Sequence, residues 1–264
     1  MVAGNPTAHV PSSERMIFAH RGLNHQAPEN TMPAFELARD SGATWLEMDV
    51  DTLGDGTPVV LHDTTLDRTT NRSGLLADYT AAGLANIDAG SWFSPMFAGT
   101  SIPTFSQFID FLNENKMNCN VELKSNQMGK AGTDRLVNAV IAELDRLDPG
   151  IEIIVSSFSA LTLERFHERA PQYAIGMLWD QRNISEDWLT ILETLDASYA
   201  HLEDGKMIKP QIDMLCATGY DVNVWTVNSR ARANQLFNWG CTGVFTDVAD
   251  ELSPLDQQTT GVER

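Results

Sequence analysis

The sequence predicts an α/β protein of TIM-barrel type, a closed (β/α)8 barrel with a small insertion after its second strand. Three observations lead there. Short runs rich in β-branched residues alternate with longer stretches of helical periodicity. Eight such runs occur, and most begin 22 to 32 residues after the previous one. The exception is the step from Trp45 to Cys119, which spans 74 residues and leaves about 40 to be accommodated as an insertion. A doubly wound open sheet is the alternative arrangement of the same pattern.

The strand runs start at Met16 (MIFAH), Trp45 (WLEMDV), Cys119 (CNVELK), Ile151 (IEIIVSS), Tyr173 (YAIGML), Ala197 (ASYAHL), Asp221 (DVNVWTV) and Gly243 (GVFTD). Between them, Thr104 and Gln107 form a capping box ahead of the apolar run 105–112. Leu136, Val137, Val140, Ile141, Leu144 and Leu147 recur at helical spacing within 133–147. Ser159, Ser185 and Ser229 stand where N-caps are expected. PVVLHD (58–63) reads as a strand folded back on the second through LGDGT, with Asp55 and Gly56 supplying the turn. The rest of the insertion, about 63–102, is rich in Thr, Asn, Gly and Ala and ends in an aromatic cluster, Trp92, Phe93 and Phe97. It is expected to lie over one barrel mouth. A single domain over 13–252 is expected, followed by a polar tail over 253–264.

Composition narrows the function. Hydrophobic residues make up 42% of the 264, enough for a large core, so wholesale disorder is excluded. Eighteen basic residues against 36 acidic ones give a net charge of −18, which disfavours nucleic acid and anionic membranes as partners. No run is long and apolar enough for a signal peptide or a membrane span. Cys119, Cys216 and Cys241 are odd in number and widely spaced, and read as small buried hydrophobes. A cytoplasmic setting without stable membrane association is expected.

The polar residues fall where chemistry would need them. Glu47 and Asp49 interrupt an apolar strand at period two and so share a face, as do Glu122 and Lys124. His20 ends the first strand, with Arg21 after it, and His62 ends the back-folded strand. In a barrel these positions converge at the C-terminal mouth. Buried carboxylates are costly unless paired or metal-bound, so Glu47, Asp49 and Glu122 either pair with Arg21 and Lys124 or hold a hard cation, Mg²⁺ or Ca²⁺. The third acid and the two histidines favour the metal. His20 and His62 suit proton transfer near neutrality, and Trp225 is placed either to wall a ligand or to pack in the core. His201, ending its strand, is in reach of the same mouth, whereas His167 lies on a helix.

Taken together, AHRGLNHQAPENT (19–31), EMDVDTLGDGTPVVLHD (47–63), LDRTTNRSG (66–74), VELK (121–124), SSF (156–158), WTVN (225–228) and GVFTD (243–247) resemble the glycerophosphodiester phosphodiesterase family. The resemblance runs from about residue 16 to 250 and departs only at LNHQ (23–26), where glycines are common. It implies metal-dependent hydrolysis of small glycerophosphodiesters, such as glycerophosphocholine and glycerophosphoethanolamine, to glycerol 3-phosphate and an alcohol. It further implies metal ligands at Glu47, Asp49 and Glu122 and a histidine pair at His20 and His62. Arg21 and Lys124 match phosphate-side bases, and Glu29 matches an acid beside the metal ligands rather than among them. Either water or a substrate hydroxyl could attack. A phospholipase-type activity on lipids and a non-catalytic sugar-phosphate-binding barrel are the competing expectations.

Overall fold

The computed structural model describes residues 15–124, 129–182, 184, 186–205 and 208–252. The polar tail and the N-cap expected at Ser185 lie outside the described residues. Nine strands form one sheet, β1 (Met16–His20), β2 (Trp45–Thr52), β3 (Pro58–Val60), β4 (Asn118–Leu123), β5 (Ile153–Ser157), β6 (Ala174–Trp179), β7 (Tyr199–Glu203), β8 (Asp221–Trp225) and β9 (Gly243–Thr246). Eight of them pair in parallel, and β1 pairs with both β2 and β9, so the sheet closes into the expected barrel. The helices are α1 (Met32–Asp40), α2 (Phe105–Asn115), α3 (Gly129–Leu144), α4 (Ala160–His167), α5 (Trp188–Thr194), α6 (Lys209–Ala217), α7 (Arg230–Asn238) and α8 (Ala249–Leu252). Among the described residues no helix is long and apolar enough to cross a membrane.

Strand alternation explains the layering. Outward residues such as Leu46, Met48, Val50, Val121, Leu123, Val222 and Val224 form one continuous core with the helices' inner faces, Phe35, Phe108, Leu136 and Leu236 among them. Inward residues form an aromatic cluster, with Phe18 stacked on Phe245 at 4.4 Å and edge-on to Trp45 at 5.3 Å. The capping box at Thr104 and Gln107 forms, and Ser159 accepts from the Thr162 N–H. Ser229 occupies an N-cap position but its side chain makes no cap bond.

β2 outlasts β1. Its residues 45–47 pair with β1, and its end, Val50 to Thr52, pairs antiparallel with β3. The connecting turn is closed by Gly56 N–H donating to the Leu53 carbonyl and Leu53 N–H to that of Thr57. Asp55 ties this turn to the insertion by accepting from the Ala81 N–H. The insertion holds three short 3₁₀ turns around its own core of Leu53, Leu61, Leu66, Leu76, Leu84, Ile87 and Ile102. At its end Trp92, Phe93 and Phe97 make consecutive edge-on contacts.

His201 corrects an expectation. It does not reach the mouth, because β7 turns it inward below that level, where it is fully buried. Its Nε2 lies 3.2 Å from Asn223 Nδ2, and its ring fills the space left by Gly176. The α4 residue His167 is half-buried, 3.9 Å from Asp196. Cys119 and Cys241 are buried as expected, and Cys216 only partly.

A Cβ at Gly176 would sit 2.6 Å from His201 Cε1, and His201 is itself fully buried. Gly176→Ala should therefore destabilise the fold by about 1–3 kcal/mol in urea unfolding. Burial also pushes the His201 imidazole down to about 3. The unfolded chain takes up this proton near pH 6.5 and the folded chain only near 3, so stability is complete above that window and falls as pH drops through it. His201→Asn should flatten this part of the stability–pH curve, measured by urea titration at successive pH values.

Candidate active site

Inward residues at the C-terminal ends of the strands build the site. Glu47, Asp49 and Glu122 each offer an oxygen within 4.8 Å of the others, all in buried side chains. Asp49 is the centre of the charge pattern. It accepts from Lys124 Nζ at 3.1 Å and Asn30 Nδ2 at 2.8 Å, and lies 3.2 Å from Arg21 Nε. Burial alone would raise its pKa, but the charges of Lys124 and Arg21 win and hold its carboxyl far below the usual range. Lys124 also donates to Glu122 at 2.6 Å.

Glu47 is poorer in partners. The backbone N–H of Arg21 donates to its Oε2 at 2.9 Å, a geometry created by the left-handed turn at Arg21 and Gly22, whose φ angles are 56° and 82°. Burial, then the charges of Asp49 and Glu122, push the Glu47 carboxyl well above its ordinary range, and burial pushes Glu122 up as well. Three acids thus face two bases, Arg21 and Lys124. Arg21 and Lys124 do pair with these acids, yet the acids outnumber them, and that surplus adds to burial in pushing Glu47 up. Hard oxygen donors in surplus over their basic partners fit a divalent cation.

Beside the acids lies a cavity of about 170 Å³ lined by His20, Arg21, Glu47, His62, Asn120, Glu122, Phe158, Leu178, Trp225 and Phe245. Trp225 packs edge-on against Phe158 at 5.6 Å, and its buried Nε1–H has no protein acceptor. Lys124 is absent from this lining; its ammonium is turned to the acids.

Both histidines are held through Nδ1. His20 Nδ1 lies 2.7 Å from Asp247 Oδ1, and His62 Nδ1 lies 2.6 Å from Asp63 Oδ1. A carboxylate partner accepts, so Nδ1 carries the proton in each ring and Nε2 is left as the atom for proton exchange. Asp247 is itself fixed by Asn24 Nδ2 at 2.6 Å and Asn228 Nδ2 at 2.6 Å, and its carboxyl stays below the ordinary range despite burial, chiefly through His20. Asp63 is brought down to about 2, chiefly by Arg68. Glu29 accepts from Arg21 Nη1 at 2.8 Å and from Arg68, so it braces the arginine and does not join the acid cluster.

Sequence reasoning placed no role on Asp247, Arg68 or Asn30. Asp247 could have been found, because it follows β9 directly and so stands at the same mouth as the other strand-end residues. Arg68 and Asn30 lie on loops, where no periodicity reports which way a side chain points.

A family model described as the glycerophosphoryl diester phosphodiesterase family matches residues 20–251. A glycerophosphodiester phosphodiesterase of Caldanaerobacter subterraneus is 31% identical over 240 residues, covering 91% of this chain and 97% of that protein. One from Bacillus altitudinis is 32% identical over 245 residues, covering 92% and 98%. Among solved structures, an Oleispira antarctica phosphodiesterase in complex with the product sn-glycerol 3-phosphate aligns with a TM-score of 0.87 at 31% identity, covering 93% of this chain and 98% of that one.

Mg²⁺ or Ca²⁺ should raise the melting temperature of the chelator-treated chain, by about 2.7 kcal/mol of added stability at a hundredfold excess over the dissociation constant. Glu122→Gln removes one donor charge at little steric cost and should shift that response to higher metal concentration. An identical dose–response in the variant would remove Glu122 from the ligand set.

Proposed function

The chain belongs to the glycerophosphoryl diester phosphodiesterase family, and on that premise we propose that it hydrolyses small glycerophosphodiesters to glycerol 3-phosphate and an alcohol by histidine acid–base catalysis. The observation that carries this reading is the pair of carboxylate-held imidazoles lining one cavity with Arg21 and two of the clustered acids. The product held by the Oleispira antarctica relative supports the same substrate class.

The mechanism follows from charge. A phosphodiester is a monoanion whose transition state concentrates charge on the non-bridging oxygens. Arg21, braced by Glu29 and Asp49, offers its guanidinium to them. Glu47, Asp49 and Glu122 would hold a divalent cation, Mg²⁺ or Ca²⁺, which would supply further positive charge there. Lys124 balances the acids from behind.

His20 acts as the base, taking the nucleophile's proton at Nε2 while Asp247 stabilises the cation that forms. His62 acts as the acid, delivering a proton to the departing alkoxide, with Asp63 as its orienting carboxylate. The Trp225 indole N–H, buried in the cavity wall without a partner, donates to an oxygen of the glycerol phosphate, while Trp225 and Phe158 cover its carbons. The alcohol half projects to solvent and is loosely selected. The free cysteines are consistent with cytoplasmic work.

Glycerol 3-phosphate release from glycerophosphocholine, in the presence of Mg²⁺ or Ca²⁺, tests the proposal. His20→Ala and His62→Ala should each lower kcat by at least about 10²-fold, with a less than additive double variant. Glycerophosphocholine, glycerophosphoethanolamine and glycerophosphoglycerol should agree in kcat/KM within about tenfold, or about 1.4 kcal/mol. Near-normal turnover by His62→Ala would overturn the acid–base pair. A preference for vesicle-bound lipid over glycerophosphocholine would favour a phospholipase instead.

A further inference from the structure

Arg68 extends from the insertion to the barrel mouth. Its Nε and Nη2 donate to Asp63 Oδ2 at 2.6 Å and Oδ1 at 3.0 Å, while Nη1 and Nη2 donate to Glu29 Oε2 at 2.7 Å and Oε1 at 2.8 Å. One guanidinium thus satisfies all four oxygens of two carboxylates. Each carboxylate holds a second group. Asp63 Oδ1 is the partner of His62 Nδ1, and Glu29 Oε1 accepts from Arg21 Nη1. Arg68 is the common member of a chain running His62, Asp63, Arg68, Glu29, Arg21.

We propose that Arg68 is a positioning residue of the reaction, setting through Asp63 the imidazole of His62 and through Glu29 the guanidinium of Arg21. The inference rests on the proposed phosphodiesterase reading. Arg68 does not line the cavity, and its side chain is 45% exposed, so it acts through its partners and not on substrate. Its planar fork is what the task requires. A guanidinium imposes the plane and orientation of both carboxylates at once, whereas an ammonium is a point charge that leaves each free to rotate. An exposed ion pair contributes little to folding stability, so the two forks are better explained by geometry than by stability. Placement matters because small displacements of reacting groups cost rate steeply. The insertion thereby becomes part of the catalytic framework: His62 and Arg68 both lie in the segment that leaves β2, and Arg68 returns that segment to Glu29 on the β1–α1 loop.

The test is kinetic, on the whole chain with glycerophosphocholine and a divalent cation. Arg68→Ala should lower kcat by about tenfold through His62 and raise KM severalfold through Arg21, with the melting temperature little changed. Arg68→Lys keeps the charge and should recover less than half of the lost kcat. Millimolar ethylguanidinium should restore turnover to Arg68→Ala, a response that a purely structural role would not give. If Arg68→Ala does not fold, Arg68→Lys alone carries the test, since its kcat loss is still expected. Wild-type kcat and KM in a folded Arg68→Ala or Arg68→Lys variant would overturn the proposal. Absence of turnover in the unaltered chain would instead overturn the phosphodiesterase reading, so the two failures are distinguishable.

Discussion

The mouth of this barrel is organised around one buried anion, Asp49. A carboxylate without solvent must be compensated, and the chain brings three groups to it: Lys124 from the end of β4, and Arg21 and Asn30 from the loop between β1 and α1. Asn30 also accepts from the Asp49 N–H, so backbone and side chain are secured together. Glu47 and Glu122 crowd the same point and cannot be fully compensated by two bases. That shortfall makes the site suited to a cation and, through the cation, to a phosphate. With the proposed cation bound, the field inside the cavity would be set by the nearest groups and not by the chain's net charge of −18.

The two histidines are held by the same device but with different security. His20 leans on Asp247, which is fastened by Asn24 and Asn228 from loops on either side of the barrel seam. His62 leans on Asp63, which is fastened by an arginine from the insertion. The proposed base therefore stands on the barrel itself, while the proposed acid belongs to an added unit with its own core.

Beneath the site, the barrel interior mixes aromatic and polar side chains. Phe18, Trp45 and Phe245 supply the packing, and Asn120, Ser156, His201 and Asn223 are buried polar side chains of the same interior. Asn120 and Ser156 bond to each other, as His201 does to Asn223. His201 among them requires a residue as small as glycine at position 176.

The sequence by itself determined the architecture and the raw materials of the site. Strand runs read from β-branched clusters start within two residues of the observed strands, as at Ile151 against Ile153 and Ala197 against Tyr199. The period-two placement of Glu47 and Asp49 told which face they share, because strand geometry leaves no choice. Only the tertiary structure decided who partners whom. His20 and Asp247 are 227 residues apart and meet only because β1 pairs with β9 when the barrel closes. Whether a residue reaches the mouth depends on where its strand ends: β7 runs on to Glu203, so His201 is mid-strand and buried against Gly176, while Trp225 ends β8 and lines the cavity. Arg68 sits in a loop without periodicity, and its two forks exist only because the insertion folds back on the β1–α1 loop, a long-range geometry that no local spacing encodes.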